Sequence, residues 1–322
     1  MRLDVALVAQ GHSRSRNRAA ALISEGLVQV NGLTCTKASS QITPDDAISV
    51  NSDHPGAPFA SRASYKLLRA LEAVPSSKLR IEGAKVLDVG ASTGGFTDVA
   101  LRWGATHVVA LDVGHDQLVP ELRNNDRVTV IEGYNARKLV AEDLPFRPDV
   151  VVCDVSFISL TLLIPAIAGV CTSSTELLLM VKPQFEVGKH SVGAGGVVRD
   201  PRLQAQAIEA VASCGQRNGL GTRAIIPSAL PGPHGNREFF VWFSKSAVQS
   251  ADLDIEVCDT SDSTESALNE YPSDSALGVA IRKAVQSTLD IPTHANAGHP
   301  ERRKALGLPH ASEVPSTQVF WI

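Results

Sequence analysis

The sequence predicts an α/β protein built on one mostly parallel, doubly wound sheet, with a small α+β unit before it and an acidic tail of low order after it. Three observations carry this. Five near-continuous apolar runs recur with helical segments between them, the pattern of strands buried on both faces. The first run opens into a glycine-rich turn, Lys85-Val86-Leu87-Asp88-Val89-Gly90-Ala91-Ser92-Thr93-Gly94-Gly95-Phe96. Composition shifts near residues 60 and 245, so domains are expected at 1–60, 61–245 and 246–322, with a linker over about 53–60.

A chain of 322 residues is long enough for two domains and a sizeable core. Its net charge of −4 does not mark a nucleic-acid binder, so any such site must be local. The five cysteines, at 35, 153, 171, 214 and 258, are odd in number and lack C-x-x-C spacing. That argues against a zinc site and a disulfide framework, and no metal is expected. With neither a signal pattern nor an apolar run of about 18 residues, the chain reads as cytoplasmic, with no membrane partner. Nothing in it sets an oligomeric state.

In the N-terminal unit, Leu3, Val5, Ala6, Leu7 and Val8 suggest one helix, and Ser13 to Glu25 a second. The segment Val28-Gln29-Val30-Asn31-Gly32 alternates as a strand into an Asn-Gly turn, the strongest short hairpin signal, and Ile48-Ser49-Val50 closes a small sheet. Between the helices Arg14, Arg16 and Arg18 alternate with Ser15 and Asn17, with no acid among them. Such a run suits phosphate contacts, which give affinity without reading sequence. The arginine-rich helix start and the V-x-V-N-G turn together resemble the S4 RNA-binding domain, which implies that Arg14, Arg16 and Arg18 meet RNA phosphates.

The linker His54-Pro55-Gly56-Ala57-Pro58-Phe59 leads to a helix from Lys66 carrying Leu67, Leu68, Leu71 and Val74, and then to the glycine-rich turn. Glycines at 90, 94 and 95 let the backbone take positive φ and bring a ligand close to main-chain N–H groups. The next run, His107 to Asp112, ends in an acid 22 residues after Gly90, where such folds bind a ribose diol. No Gly-Lys-Ser/Thr follows the glycines, which disfavours nucleotide triphosphate hydrolysis. Asp88, placed just before the turn, suits a cationic ligand such as S-adenosylmethionine. A nicotinamide-dependent dehydrogenase is the competing enzyme reading, but it calls for G-x-G-x-x-G, and the spacing here is Gly90-x-x-x-Gly94-Gly95.

Runs at 128–131, 149–153 and 176–181 supply three more strands, and their polar ends should bring Asp88, Asp112, Asp154 and Lys182 to one crevice. Residues 183–200 form a glycine-rich connection expected to be a mobile lid or disordered. Helix 201–218 and strands around 223–226 and 237–243 complete the domain, Glu238 beginning the last strand. From Gln249 to Leu277 there are eight acids and no Lys or Arg, a composition of disorder, with a short helix possible around Ala276 to Leu289.

Two lysines and two acids, Lys66, Asp154, Lys182 and Glu238, are thus expected at one sheet edge. Closely spaced charges of this kind are the setting in which a lysine can act as a base. In order and context they match the Lys-Asp-Lys-Glu tetrad of the FtsJ-like, Rossmann-fold ribose 2′-O-methyltransferases: Tyr-Lys-Leu, Cys-Asp-Val-Ser-Phe, Val-Lys-Pro-Gln-Phe-Glu and Arg-Glu-Phe-Phe. With the S4-like unit, the chain resembles the TlyA family, whose members methylate cytidine 2′-oxygens of ribosomal RNA and often carry the name haemolysin. The resemblance implies that S-adenosylmethionine is the cofactor and that ribosomal RNA or ribosomal subunits are partners. Lys182 would take or polarise the hydroxyl proton, Asp154 would orient it, and Lys66 and Glu238 would fix the charge balance. Asp88 and Gly90 would lie at the methionine end of the cofactor and Asp112 at its ribose. Asn135 would stand near the adenine, and Ala91, Ser92, Gly94, Gly95 and Phe96 would complete the loop. A non-catalytic RNA-binding module and a membrane-lytic protein are the alternatives from other classes, the second lacking amphipathic or spanning segments of suitable length.

Overall fold

The computed structural model describes residues 1–13, 16–24, 28–50, 59–188, 191–232, 235–245, 275–288 and 318–322. Two compact units divide between Ser61 and Arg62. In the first, helices α1 (Leu3–Ala9) and α2 (Arg16–Ser24) precede strands β1 (Val28–Val30), β2 (Leu33–Thr34) and β3 (Ile48–Val50) in an antiparallel sheet of order β2-β1-β3. Asn31 and Gly32 take φ of 52° and 78°, the left-handed pair that a two-residue hairpin requires. Leu3, Leu7, Leu22, Ile23, Val28 and Ile42 form the core. Linker residues 53–58 lie outside the described residues.

The second unit begins with α3 (Ser64–Ala73) and continues through β4 (Lys85–Val89), α4 (Gly95–Arg102), β5 (His107–Leu111), α5 (Pro120–Arg123), β6 (Val128–Ile131) and β7 (Val150–Cys153). It goes on with α6 (Ile164–Val170), β8 (Glu176–Val181), α7 (Pro183–Glu186), α8 (Pro201–Arg217), β9 (Gly221–Pro227) and β10 (Phe239–Ser244). Helix α9 (Ala276–Ser287) and strand β11 (Phe320–Trp321) follow. All eight strands form one sheet of order β11-β9-β10-β8-β7-β4-β5-β6. The block from β8 to β6 is parallel, and β10, β9 and β11 add antiparallel strands at one edge. Leu87, Val109, Val151, Leu179 and Val241 are fully buried within it, as strands covered on both faces must be.

Three features differ from or add to the sequence reading. The described part of the 183–200 connection is tied down: Asn236 Nδ2 donates to the Gly196 carbonyl at 2.8 Å, Val198 N–H donates to Asn236 Oδ1 at 2.9 Å, and Gln204 Nε2 donates to the Val198 carbonyl at 2.9 Å. A buried side-chain amide thus does for this loop what a regular ladder does for a strand. Helix α9 buries Ala280, Ile281, Ala284 and Val285 in the main core, while most of the acidic stretch, residues 246–274, lies outside the described residues. Strand β11 pairs with β9, and Trp321 meets the Trp242 ring edge-on at 5.5 Å with the Lys78 ammonium 4.0 Å above its own ring. Among the described residues no helix is long and apolar enough to cross a membrane.

Candidate active site

Strand order reverses between β4 and β7, because the chain runs outward from β4 through β5 and β6 on one side and from β7 through β8 on the other. Open α/β sheets form their ligand crevice at such a point. A cleft of about 630 Å³ lies here, lined by Val89 and Gly90 after β4, Leu111 and Asp112 after β5, and Asp154 to Ile158 after β7. Gly90 has φ of 85°, and a Cβ on it would come within 2.9 Å of Val155 Cγ1 and 3.2 Å of the Asp154 carbonyl oxygen. Any side chain there would displace the backbone beside Asp154.

Of the residues expected at a cofactor, Gly90, Ser92, Asp112 and Asn135 line the cleft. Both Asp112 oxygens accept main-chain N–H bonds, from Ser92 and from Gly114, each at 2.7 Å, so the two loops on either side are fixed by one carboxylate. Ala91, Gly94, Gly95 and Phe96 do not line it. Ala91 is buried with its N–H on the Leu111 carbonyl, and Gly94 caps α4 at φ of 95°. The Gly95 carbonyl accepts the Ser64 hydroxyl at 2.9 Å, and the Phe96 ring packs 6.0 Å from that of Phe240. These residues build the turn's shape rather than its surface. The Ser64 bond also fixes the start of α3, two residues before Lys66.

Asp88 departs furthest from expectation, since it does not reach the crevice. It is completely buried, and Thr97 Oγ1 donates to its Oδ2 at 2.7 Å across to α4. Burial pushes its carboxyl up to about 7, with the Thr97 hydroxyl opposing and the Asp154 charge adding to the rise. Folded and unfolded pKa values therefore differ, and the sign follows from linkage: the contribution of Asp88 to stability is fully present below about pH 4, where both states are protonated, and is lost as pH rises through 7. Asp88→Asn keeps an acceptor for Thr97 and cannot ionise. Its melting temperature should exceed that of the wild type at pH 8, with the difference shrinking toward pH 5. Parallel curves for the two proteins in thermal scans would show that Asp88 is not the group responsible.

Lys66, Asp154, Lys182 and Glu238 meet beside the cleft. The Lys66 ammonium donates to Glu238 Oε2 at 2.6 Å and lies 3.6 Å from Asp154 Oδ2. Lys182 Nζ stands 2.8 Å from Asp154 Oδ1 as a charge pair off the hydrogen-bonding direction, while it donates to Ser156 Oγ at 2.8 Å. Acid and base thus alternate in the order Glu238, Lys66, Asp154, Lys182. Each element delivers one member: α3 brings Lys66, the end of β7 Asp154, the end of β8 Lys182, and the residue just before β10 Glu238. Lys66, Lys182 and Glu238 are 7%, 7% and 2% exposed, so the charges are tolerable only as a paired set. Burial raises the Glu238 carboxyl above the usual range, against the pull of Lys66.

Three further residues join the site without a signal that spacing could supply. Ser156 holds Lys182. Phe157 lines the cleft with φ of 66° and 91% exposure, its ring 5.4 Å from that of Phe185. Arg62 donates to the Pro231 carbonyl at 3.1 Å, in the loop before Glu238.

In the N-terminal unit, Arg16 is exposed and its guanidinium donates to Asp4 Oδ2 at 3.0 and 3.3 Å. Arg2 takes the same carboxylate at 2.9 and 3.0 Å and holds its pKa well below the usual range. Arg14 lies outside the described residues, and for Arg18 only the backbone is described.

Comparison with known proteins places this geometry among relatives. The family model for FtsJ-like methyltransferases matches residues 59–245, and that for the S4 domain matches residues 1–48. The chain is 46% identical over 241 residues to the 16S/23S rRNA (cytidine-2'-O)-methyltransferase TlyA of Mycobacterium tuberculosis, covering 75% of this chain and 88% of that one. It is 39% identical over 248 residues to Hemolysin A of Brachyspira hyodysenteriae, covering 76% and 99%. A solved structure of a proposed hemolysin from Streptococcus thermophilus is similar with a TM-score of 0.58 at 31% identity, over 90% of this chain and 98% of that one.

Proposed function

The chain belongs to the TlyA branch of the FtsJ-like methyltransferases, and from that premise we propose that it transfers a methyl group from S-adenosylmethionine to a ribose 2′-hydroxyl of ribosomal RNA, that of a cytidine. The observation carrying this reading is the alternating Glu238, Lys66, Asp154, Lys182 set beside a cleft at the sheet's switch point.

The residues present fit the cofactor. Gly90 brings bare main chain to the cleft wall against Val155 and the Asp154 carbonyl, where a Cβ would collide. Asp112 offers carboxylate oxygens at the cleft wall for a ribose diol, and Tyr134, Asn135, Ile158 and Leu163 line the cleft where a flat adenine fits. When bound, S-adenosylmethionine supplies an electrophilic methyl group on a sulfonium. The chain's own residues then act on the other partner. Lys182, acting as the free amine once its ammonium has given a proton to solvent, receives the 2′-hydroxyl proton as the oxygen attacks, Asp154 orients both, and Lys66 with Glu238 holds Asp154 in place. Holding the oxygen in line carries much of the rate.

Phe157 suits an unstacked base. An exposed aromatic ring held in a left-handed backbone conformation costs free energy, and a platform on which a splayed nucleotide stacks is a use for it. Arg16, with Arg14 and Arg18, suits phosphates of structured RNA in the S4-like unit. Free or assembled ribosomal subunits are the partners this reading implies, and the cytoplasm the place of action.

Mass-spectrometric mapping of 2′-O-methyl groups in ribosomal RNA treated with this protein and with its Asp154→Ala variant tests the reading. New sites are expected with the first and none with the second; equal maps would end it. Neutralising Arg14, Arg16 and Arg18 should weaken RNA binding and reduce the slope of log affinity against log salt by about 1 per lost phosphate contact. An unchanged slope would remove those arginines from the RNA interface.

A further inference from the structure

Between the loop that carries Asp154 and the turn that carries Lys182 there are three cross-ties. Lys182 reaches Asp154 and Ser156, each at 2.8 Å. Phe185 meets Phe157, ring to ring. Glu186 closes the far end: its Oε2 accepts the Ser159 hydroxyl at 2.5 Å and its Oε1 accepts the Leu160 N–H at 2.9 Å. The hydrogens account for themselves. Ser159 Oγ accepts from Thr161 N–H at 3.1 Å and lies 2.6 Å from Thr161 Oγ1, and with that hydroxyl donating to it the Ser159 proton goes to Glu186.

Both sides of this tie are stiff. On one, Leu160 is 1% exposed and opens a 3-10 turn capped by Ser159. On the other, the Phe185 N–H bonds the Lys182 carbonyl at 2.9 Å and the Val187 N–H bonds the Pro183 carbonyl at 3.1 Å. What lies between the ties is the strained residue, Phe157, which has no other ring partner among the described residues. Left to itself a phenylalanine at φ of 66° relaxes to negative φ, because Cβ crowds the carbonyl there. The chain before Phe157 is held by Asp154 and Ser156, and the chain after it by Glu186. Removing Glu186 frees one end.

We propose that Glu186 is a positioning residue of the methyl-transfer site, a carboxylate clamp that joins the Lys182 turn to the 156–160 loop and keeps Phe157 presented to the substrate nucleotide. It touches neither the tetrad nor the cleft lining. This rests on the reading above that RNA is the substrate.

The test is a double-mutant cycle read as kcat/KM for ribosomal RNA with labelled S-adenosylmethionine. Glu186→Ala should lower kcat/KM about tenfold, a positioning effect, and Glu186→Gln, whose amide oxygen can accept the Leu160 N–H while its Nε2 donates to the Ser159 oxygen, should recover most of it. In a Phe157→Ala background the further loss from Glu186→Ala should be under about threefold, since coupled residues do not add. If Glu186→Ala fails to fold, Ser159→Ala removes one of the two ties and should show a smaller loss that likewise vanishes without Phe157. An equal loss in both backgrounds, or none in the wild type, overturns the clamp alone. A wild-type protein that labels no RNA overturns the reaction and the clamp with it.

Discussion

Lys182→Ala is expected to bind S-adenosylmethionine as tightly as the wild type and to transfer its methyl group about a thousandfold more slowly, the scale of a lost general base. The two effects separate because of where Lys182 stands. It is outside the residues that line the cleft wall around Gly90, Asp112 and Asn135, and its ammonium is engaged with Asp154 and Ser156. Lys182→Arg keeps a charge near Asp154 but holds its proton permanently, so it should fail as well. Calorimetric titration of cofactor alongside single-turnover transfer checks both halves. Transfer at wild-type speed by Lys182→Ala would take Lys182 out of the mechanism.

Glu238→Ala should show the largest loss of stability. Glu238 is 2% exposed and its Oε2 sits 2.6 Å from the Lys66 ammonium, itself 7% exposed. Removing the acid leaves a buried cation with Asp154 at 3.6 Å and Met180 Sδ at 3.6 Å as its remaining neighbours. Breaking a buried pair in this way costs about 3 kcal/mol, or roughly 10 °C in melting temperature for a domain of this size. Replacing both partners by apolar residues, Lys66→Met with Glu238→Leu, should recover much of that stability without recovering transfer. Thermal scans and a methylation assay on the two proteins decide it. A double variant that regains activity would reduce the pair to packing.

How far the sequence reached depends on the kind of signal. The parallel strands were legible because Val150 to Cys153 or Leu177 to Val181 are apolar without interruption, which a strand covered on both faces requires. Strand β11 was not, since two residues at the end of the chain carry no periodicity and their place rests on Trp242, Lys78 and the β9 edge. Asp112 and Asp88 look alike on paper, each an acid near a strand's end. Asp112 follows its strand and lines the cleft, whereas Asp88 lies one residue inside β4 and points across to Thr97. Alternation along a strand settles which face a side chain takes, and a run apolar on both faces conceals it.

The tetrad was legible through its four short contexts, not through any spacing, since 172 residues separate Lys66 from Glu238. Ser156 and Phe157 stood in the same Cys-Asp-Val-Ser-Phe stretch and gave no sign of their roles. A hydroxyl that holds a lysine and a ring that turns outward on a left-handed backbone are facts of three-dimensional geometry. In the 183–200 connection, read as a lid or disorder, the ties of the described part escaped the sequence for a related reason. Glycines announce freedom, while the side chain that removes it, Asn236, comes 40 residues after Gly196, the carbonyl it binds.

The most direct test of methyl transfer to a ribose oxygen is alkaline hydrolysis of ribosomal RNA labelled by this protein from methyl-labelled S-adenosylmethionine. A methyl group on the 2′-oxygen removes the nucleophile that alkali needs, so the label should appear in alkali-resistant dinucleotides. Label in mononucleotides, where a methylated base would leave it, would contradict the assignment of Lys182 and its three partners to a ribose hydroxyl.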